Sequence, residues 1–227
     1  MRTAHDAALI ATEEPPHDCP LCPRLLGYRL ENVAAEPTWF NAPVPSFGSR
    51  DARLLIVGLA PGVSGANRTG RPFTGDFAGE LLYGTLLKYR FARGTYAARL
   101  DDGLQLVDCR ITNAVRCVPP ENKPTPEEAR TCNVFLRAQI EVMRGLRVIV
   151  ALGKIAHDAT VRALDLKPAR FGFAHCAHHE IRDGLTLIDS YHCSRYNTNT
   201  GKLTTPMFEA VFSAVRNALP APPKEEK

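Results

Sequence analysis

An α/β fold, with a parallel sheet covered by helices on both faces, is what this sequence predicts, and three observations predict it. Four short apolar, β-branched runs read as strands: Arg53 to Val57, Leu106 to Thr112, Arg147 to Leu152 and Leu185 to Asp189. Helical patterns fall between or after them, at Phe77 to Tyr89, Pro126 to Arg144, Lys154 to Leu164 and Pro206 to Leu219. Such alternation implies βαβ units, whose crossovers lay helices against a parallel sheet. The third observation is where the polar, glycine-bearing loops fall. Gly58 to Asp76, Asn113 to Cys117, Gly153, and His192 to Gly201 each follow a strand end. Open parallel sheets bind ligands beyond the carboxyl ends of their strands, so these four loops are expected to meet at one crevice.

The loop after the first strand, GLAPGVSGANRTGRPFTGD, is the densest in chemistry. Its glycines let backbone N–H groups approach a ligand closely. Arg68 and Arg71 can meet phosphate, Phe73 offers a flat face, and Asp76 brings a carboxylate. The spacing Gly65 to Gly70 mimics a nucleotide P-loop, but Arg71 and Pro72 stand where that loop needs Lys and then Ser or Thr. A nucleotide-dependent enzyme is therefore disfavoured. The helix from Phe77 starts directly after Asp76, which reads as its N-cap.

The chain's 227 residues, 44% of them hydrophobic, can bury one substantial core. A single domain over residues 17–219 is expected, with mobile tails at 1–16 and 220–227. The net charge of +4 permits an acidic partner, and the basic residues are dispersed, which favours local phosphate contacts over a basic tail. No segment has the length and apolar purity of a membrane span. The opening MRTAHDAALIATEEPPHD carries acidic residues where a secretory signal needs an apolar run, so a cytoplasmic location is expected.

In a reducing compartment seven cysteines point to ligands or packing rather than disulfides. Cys19 and Cys22 form C-x-x-C, while Cys117 and Cys132 bracket a proline-rich stretch. Thr125, Pro126 and Glu128 read as a capping box with proline at the first helical position, which puts Cys132 early in a helix. There it shares the inward face with Phe135, Leu136, Ile140 and Met143. One C-x-x-C knuckle plus two separated cysteines suits a bulky [4Fe-4S] cubane better than zinc, with structural zinc and unligated buried thiols as the alternatives. Cys109, Cys176 and Cys193 lack such spacing and read as packing residues. His175, His178 and His179 precede the fourth strand, away from the expected crevice, and are not read as a metal site.

The final strand leads into SYHCSRYNTNTGKLT, a run with almost no apolar side chain to pack inward. This run, the glycine loop, the preceding PVPSFG and the strand ending TNAVRC together resemble the motifs of the family 5 (type b) uracil-DNA glycosylases. The four-cysteine spacing agrees with that family's iron-sulfur site. The resemblance covers roughly Cys19 to Thr205 and rests on several separate motifs in order. It implies a three-layer α-β-α sandwich with a central, mainly parallel four-stranded sheet. It also implies an enzyme that hydrolyses the N-glycosidic bond of uracil in DNA, and of hypoxanthine or other deaminated bases, leaving an abasic site. On this reading the protein is a monomer of bacterial type acting at the nucleoid, on double- or single-stranded DNA containing such lesions.

Breaking an N-glycosidic bond builds negative charge on the base and positive charge on the sugar, so the site needs donors at the base and an anion near the sugar. His192 matches the family histidine that donates to the departing uracil O2. Asn113 matches the asparagine that reads the base edge, with an amide offering both donor and acceptor. Phe73 corresponds to the aromatic that stacks on the extruded base, beside the loop's first glycine, Gly58. Asp76 is assigned electrostatic stabilisation and water positioning, a role compatible with its capping of the helix. Arg68, Arg71, Ser194, Arg195 and Lys202 are the expected DNA contacts. Two positions depart from the family pattern: Ser64 stands where many relatives have histidine, and Cys193 replaces the proline that follows the motif histidine. A non-catalytic binder of damaged or single-stranded DNA on the same fold is the competing reading.

Overall fold

A computed structural model describes residues 12–182 and 184–219. Its strands are β1 (Phe47–Gly48), β2 (Leu54–Gly58), β3 (Ala92–Arg93), β4 (Gln105–Leu106), β5 (Cys109–Asn113), β6 (Val148–Leu152), β7 (His178–Arg182) and β8 (Leu185–Ser190). The α-helices are α1 (Pro23–Ala35), α2 (Phe77–Lys88), α3 (Pro126–Val142), α4 (Lys154–Ala163), α5 (Arg195–Asn199) and α6 (Thr205–Ala218). Among the described residues the main sheet runs in the order β1-β5-β2-β6-β8-β7. Its four inner strands are parallel, as expected, and the sequence reading missed the short antiparallel strands that close each edge.

Every residue of β2, β5 and β6 is buried, which is why β2 and β6 read as continuous apolar runs, while β5 carries Arg110, Thr112 and Asn113 inward as buried polar groups. The period of two survives in the direction of the side chains. Leu54 and Ile56 share a core with Leu82 and Leu86 of α2 and with Phe208 and Phe212 of α6. Leu55 and Val57 face the opposite core with Leu136 and Ile140 of α3 and Ala156 and Ala159 of α4. Helices therefore cover both faces, giving the three-layer sandwich.

The chain leaves β2 to form β5 on one side and β6 on the other. That reversal makes a crevice at the carboxyl end of β2, where Gly58 pairs in register with Asn113.

The expected strand Leu106 to Thr112 is broken at Asp108, which takes a left-handed φ of 51°. Its carboxylate accepts from the Arg53 backbone N–H at 2.8 Å and from Arg53 Nε at 2.9 Å. This fixes the bend, and Leu106 pairs with Ala92 in a separate two-stranded ribbon. The expected tails lie outside the described residues at 1–11 and 220–227. Residues 12–16 lie along the domain, where Glu14 accepts from Arg110 at 3.0 Å and pairs with the buried Arg116, and Glu13 pairs with Arg50.

The capping box at α3 is formed as the sequence predicts. Thr125 Oγ1 accepts from the Glu128 N–H at 3.2 Å, and Glu128 Oε2 accepts from the Thr125 N–H at 2.7 Å. Glu128 also receives two bonds from Arg24 of α1, both at 2.8 Å, so this helix start carries the segment that bears the C-x-x-C pair. Thr125→Ala should lower unfolding free energy by about 1 kcal/mol. Equilibrium urea denaturation measures this, and an unchanged midpoint would contradict the role given to the cap.

Candidate active site

Gly58 and Asn113, the last residues of β2 and β5, and Phe73 and His192, from the loops after β2 and β8, meet at the carboxyl edge of the sheet. A Cβ built on Gly58 would lie 2.3 Å from Asn113 Oδ1 and 2.6 Å from Phe73 Cζ, so only glycine lets the amide and the ring share this space. The rings of Phe73 and His192 are 6.1 Å apart and inclined by 29°. Phe73 is 6% exposed and Asn113 4%. Asn113 Oδ1 is buried with no hydrogen-bond partner among the described residues. An unpaired buried acceptor costs about 1–3 kcal/mol, so it is a group waiting for a donor.

Phe73 has a left-handed φ of 54°, a conformation a bulky residue holds only when its surroundings impose it. Those surroundings are specific. Tyr96 donates to the Phe73 carbonyl at 3.2 Å, and Tyr83 donates to the Pro72 carbonyl at 2.6 Å. Arg71, 4% exposed, donates both terminal nitrogens to Asp102 at 2.9 and 2.6 Å and its Nε to Thr74 at 2.7 Å. Its guanidinium lies 5.3 to 5.9 Å from the rings of Phe47, Tyr83 and Tyr96. The sequence reading of Arg71 as a phosphate contact is corrected by this burial: its donors are already committed to holding the Phe73 turn. No signal in the sequence marked Asp102 as the partner, because the contact spans 31 positions with no periodicity.

Asp76 caps α2, accepting from the Gly79 N–H at 3.0 Å. A Cβ on Gly65 would lie 2.7 Å from its Oδ2, which seats the carboxylate against the glycine loop. Burial raises the Asp76 pKa, with the amides of Gly79 and Ala78 pulling it back down. Desolvation therefore outweighs the helix terminus that the sequence reading relied on. His192 stands at the mouth of a cleft of about 290 Å³ shared with Leu59, Gly153, Phe173, Tyr191 and Lys202. Burial pushes its ring pKa down to about 4. The imidazole is thus neutral in the working range, with one N–H to give. A larger cleft of about 440 Å³, bordered by Arg144, Arg147 and Arg182, lies at the opposite end of the strands and takes no part in this site.

Loop Cys193 to Thr204 folds over this edge. Ser194 caps the short helix α5, accepting from the Asn197 N–H at 3.4 Å, and Asn197 Nδ2 donates to the His192 carbonyl at 2.8 Å. The exposed Arg195 sits 5.3 Å from the Phe77 ring, and Lys202 5.0 Å from the Tyr191 ring. Arg68 is exposed, with Nε donating to the Ser64 carbonyl at 2.9 Å. These three cations rim the crevice, whereas Ser64 faces outward and Cys193 fills the core beneath. His175 is nearer to this edge than its sequence position implied, since its Nδ1 accepts from the Tyr191 N–H at 3.1 Å.

At the far side of the carboxyl edge, Cys19, Cys22, Cys117 and Cys132 line one pocket with Leu25, Val115, Arg116 and Phe135. Burial raises all four thiols, and pushes those of Cys22, Cys117 and Cys132 up to about 12. The Arg116 N–H donates to Cys132 Sγ at 3.3 Å, and Arg29 donates to the Cys19 carbonyl at 2.7 Å. Among the described residues, the three side chains whose donor atoms lie within 4.8 Å of one another are His157, His179 and Asp189, not three of these thiols.

The family model described as the uracil DNA glycosylase superfamily matches residues 45–216 of this chain. The type-5 uracil-DNA glycosylase of Thermus thermophilus is 45% identical over 207 residues, covering 88% of this chain and 94% of its own. That of Mycobacterium tuberculosis is 41% identical over 204 residues, covering 86% and 75%. A type-4 uracil-DNA glycosylase of Thermotoga maritima is 38% identical over 135 residues, covering 58% of this chain and 62% of its own.

The burial of Arg71 and the exposure of Arg195 set opposite expectations for the two arginines. Arg71→Ala leaves Asp102 as an unpaired buried charge, so it should destabilise the fold by about 3–5 kcal/mol. Arg195→Ala should leave stability unchanged and reduce the salt slope of DNA binding by about 1. Chemical denaturation and fluorescence titration at several salt concentrations separate these outcomes, and a stable Arg71→Ala with a reduced slope would reverse the assignment. For His192, between a folded pKa of about 4 and the ordinary value of roughly 6.5, the unfolded chain holds a proton that the folded chain lacks. Its contribution to stability is therefore present above that range and is lost as pH falls through it. NMR titration of the ring should give a midpoint near the lower value; an unshifted midpoint would place His192 in open solvent.

Proposed function

The chain belongs to the uracil DNA glycosylase superfamily, and on that premise we propose how its residues excise uracil from DNA. One observation carries the assignment of residues: a buried, unpartnered amide oxygen, Asn113 Oδ1, crowded with the Phe73 ring over Gly58, with the His192 ring stacked 6.1 Å from Phe73. Uracil has the complementary edge. Its N3–H supplies the donor that Asn113 Oδ1 lacks, while the amide NH2 meets the adjacent carbonyl. Phe73 stacks on the ring, an interaction worth about 1–3 kcal/mol.

The base must first leave the helical stack, at a cost of roughly a few kcal/mol that is smaller in a mismatch, so uracil opposite guanine is the favoured context. As the C1′–N1 bond breaks, its electron pair leaves with the base. His192, neutral, donates to the oxygen on which that charge collects. Asp76 lies on the sugar side, where a carboxylate stabilises the developing cation and orients the water that adds to C1′; the proton this water gives up is balanced by the one the uracil anion takes up. Arg68, Arg195 and Lys202 hold the flanking phosphates. The products are uracil and an abasic strand. Hypoxanthine and other deaminated bases belong to the same proposal as further substrates.

We propose a [4Fe-4S] cluster at Cys19, Cys22, Cys117 and Cys132. What supports it is the donor set: four soft ligands lining one desolvated pocket. Arg29 and Arg116 supply compensating positive charge. A cluster there would tie α1, the strand end after Asn113 and α3 together, and it takes no part in the hydrolysis. No helix among the described residues is long and apolar enough to cross a membrane. The same reading puts the enzyme on chromosomal DNA in the cytoplasm, as a monomer.

Incubation with a uracil-containing duplex, followed by alkali, should give scission at uracil. His192→Ala should lower the rate by about 10²–10³, the usual effect of losing such a donor. Binding without scission would identify a non-catalytic reader of damaged DNA, and a hypoxanthine duplex in the same assay tests the wider range.

A further inference from the structure

His157 and Asp189 are fully buried, and both ring nitrogens of the histidine meet acceptors. Nδ1 lies 2.7 Å from Asp189 Oδ1, and Nε2 lies 3.0 Å from the Phe171 carbonyl oxygen. A carbonyl only accepts, so Nε2 carries a proton. The proton shared with Asp189 has two possible owners. His179 Nε2 lies 3.0 Å from Asp189 Oδ2, and in the tautomer that carries its proton there it donates to the second carboxyl oxygen, so that both oxygens accept. The proton then belongs to Nδ1.

We propose that His157, Asp189 and His179 form a buried clamp in which His157 is an imidazolium, and that this clamp positions the strand end carrying His192. The second half rests on the reading that His192 acts on the base. Asp189 precedes His192 by three residues at the end of β8. Its backbone holds the loop after Phe171 through bonds with Cys176 and Ala177 at 2.8 and 3.0 Å. Phe173 packs edge-on against the His157 ring at 5.7 Å, and His175 stacks on Tyr191 at 5.0 Å. Phe173, Tyr191 and His192 line one cleft. The ring nitrogens of His192 make no hydrogen bond among the described residues, so the placement of this ring depends on the backbone beneath it.

The titratable groups facing His157 are Asp189 from β8, His179 from β7 and Asp158 from its own helix, while the loop presents the Phe171 carbonyl. Burial opposes the imidazolium, but the bond and charge of Asp189, with the Phe171 carbonyl, outweigh it and raise the pKa. The clamp's stabilisation is therefore fully present below the unfolded value of about 6.5 and is lost as pH rises through the folded value. His157 is a positioning residue in this scheme and does not touch DNA.

The test uses full-length protein labelled with ¹⁵N-histidine. Near neutral pH the His157 ring, assigned by its loss in His157→Asn, should show protons on both nitrogens and titrate above free imidazole; Asp189→Asn should bring that midpoint down. A neutral single tautomer in the wild-type protein overturns the proposal, as does one equivalent of zinc that purifies with the protein and is lost in His157→Gln. In single-turnover excision His157→Gln should slow bond cleavage by about tenfold or more, as misplaced catalytic groups do, while duplex affinity changes little. The wild-type rate should fall as pH rises through the His157 midpoint, and His157→Gln should lose that fall. Wild-type cleavage by this variant would sink the positioning role. An active His192→Ala would instead sink the His192 reading, leaving the NMR state of His157 to judge the clamp.

Discussion

Gly58 and Asn113 face each other at the ends of two adjacent parallel strands, and the missing side chain at position 58 is what the site depends on. Any Cβ there would overlap the Asn113 amide and the Phe73 ring. With hydrogen in its place, two groups of opposite character, an unpaired amide oxygen and an aromatic face, occupy one small volume. The strands themselves are fully buried, so the polar group is held at the end of the sheet's interior. On the proposed reading, a base that enters gains a hydrogen bond and an aromatic neighbour together, and a base with the wrong edge leaves the acceptor unpaired.

The loops around this point are fixed by buried charge rather than by apolar packing alone. Arg71 and Asp102 form a bidentate pair inside an aromatic cage beneath the Phe73 turn. Arg116, also buried, donates to the Val44 carbonyl at 3.0 Å and the Ser46 hydroxyl at 2.9 Å, stitching PVPSFG to the cysteine pocket. Such pairs add little net stability over apolar substitutes, but breaking one leaves a stranded charge, so they enforce a single arrangement. That suits a site whose groups must be in place before the substrate arrives.

The parts of this molecule legible in the sequence are those set by local periodicity and by strand order. The four inner strands, the two capped helices and the convergence of loops at one edge could be read because a parallel sheet leaves continuous apolar runs and exposes its loops at one end. Asp76 showed its helix start through spacing alone. What could not be read depends on contacts between distant positions. Arg71 looks like any loop arginine until Asp102 is found beside it. His157 falls inside the helix read at Lys154 to Leu164 with no spacing to mark it, and Asp189 and His179 lie on two strands that come later in the chain. The break at Asp108 was hidden because a left-handed residue inside an apolar run leaves no pattern. The edge strands are too short, and β7 too polar, to register as strands; α1 lacks the regular apolar stripe that marked the other helices.

The most direct test of this arrangement is the structure of the wild-type enzyme bound to a duplex in which 2′-fluoro-2′-deoxyuridine, a nucleoside that resists loss of its base, replaces the uracil nucleotide. The account predicts the uracil turned out of the stack, its ring against Phe73, its N3–H about 2.7–3.2 Å from Asn113 Oδ1, and an imidazole nitrogen of His192 within reach of O2. A uracil still stacked in the duplex, or seated elsewhere with Asn113 Oδ1 unpaired, would contradict it.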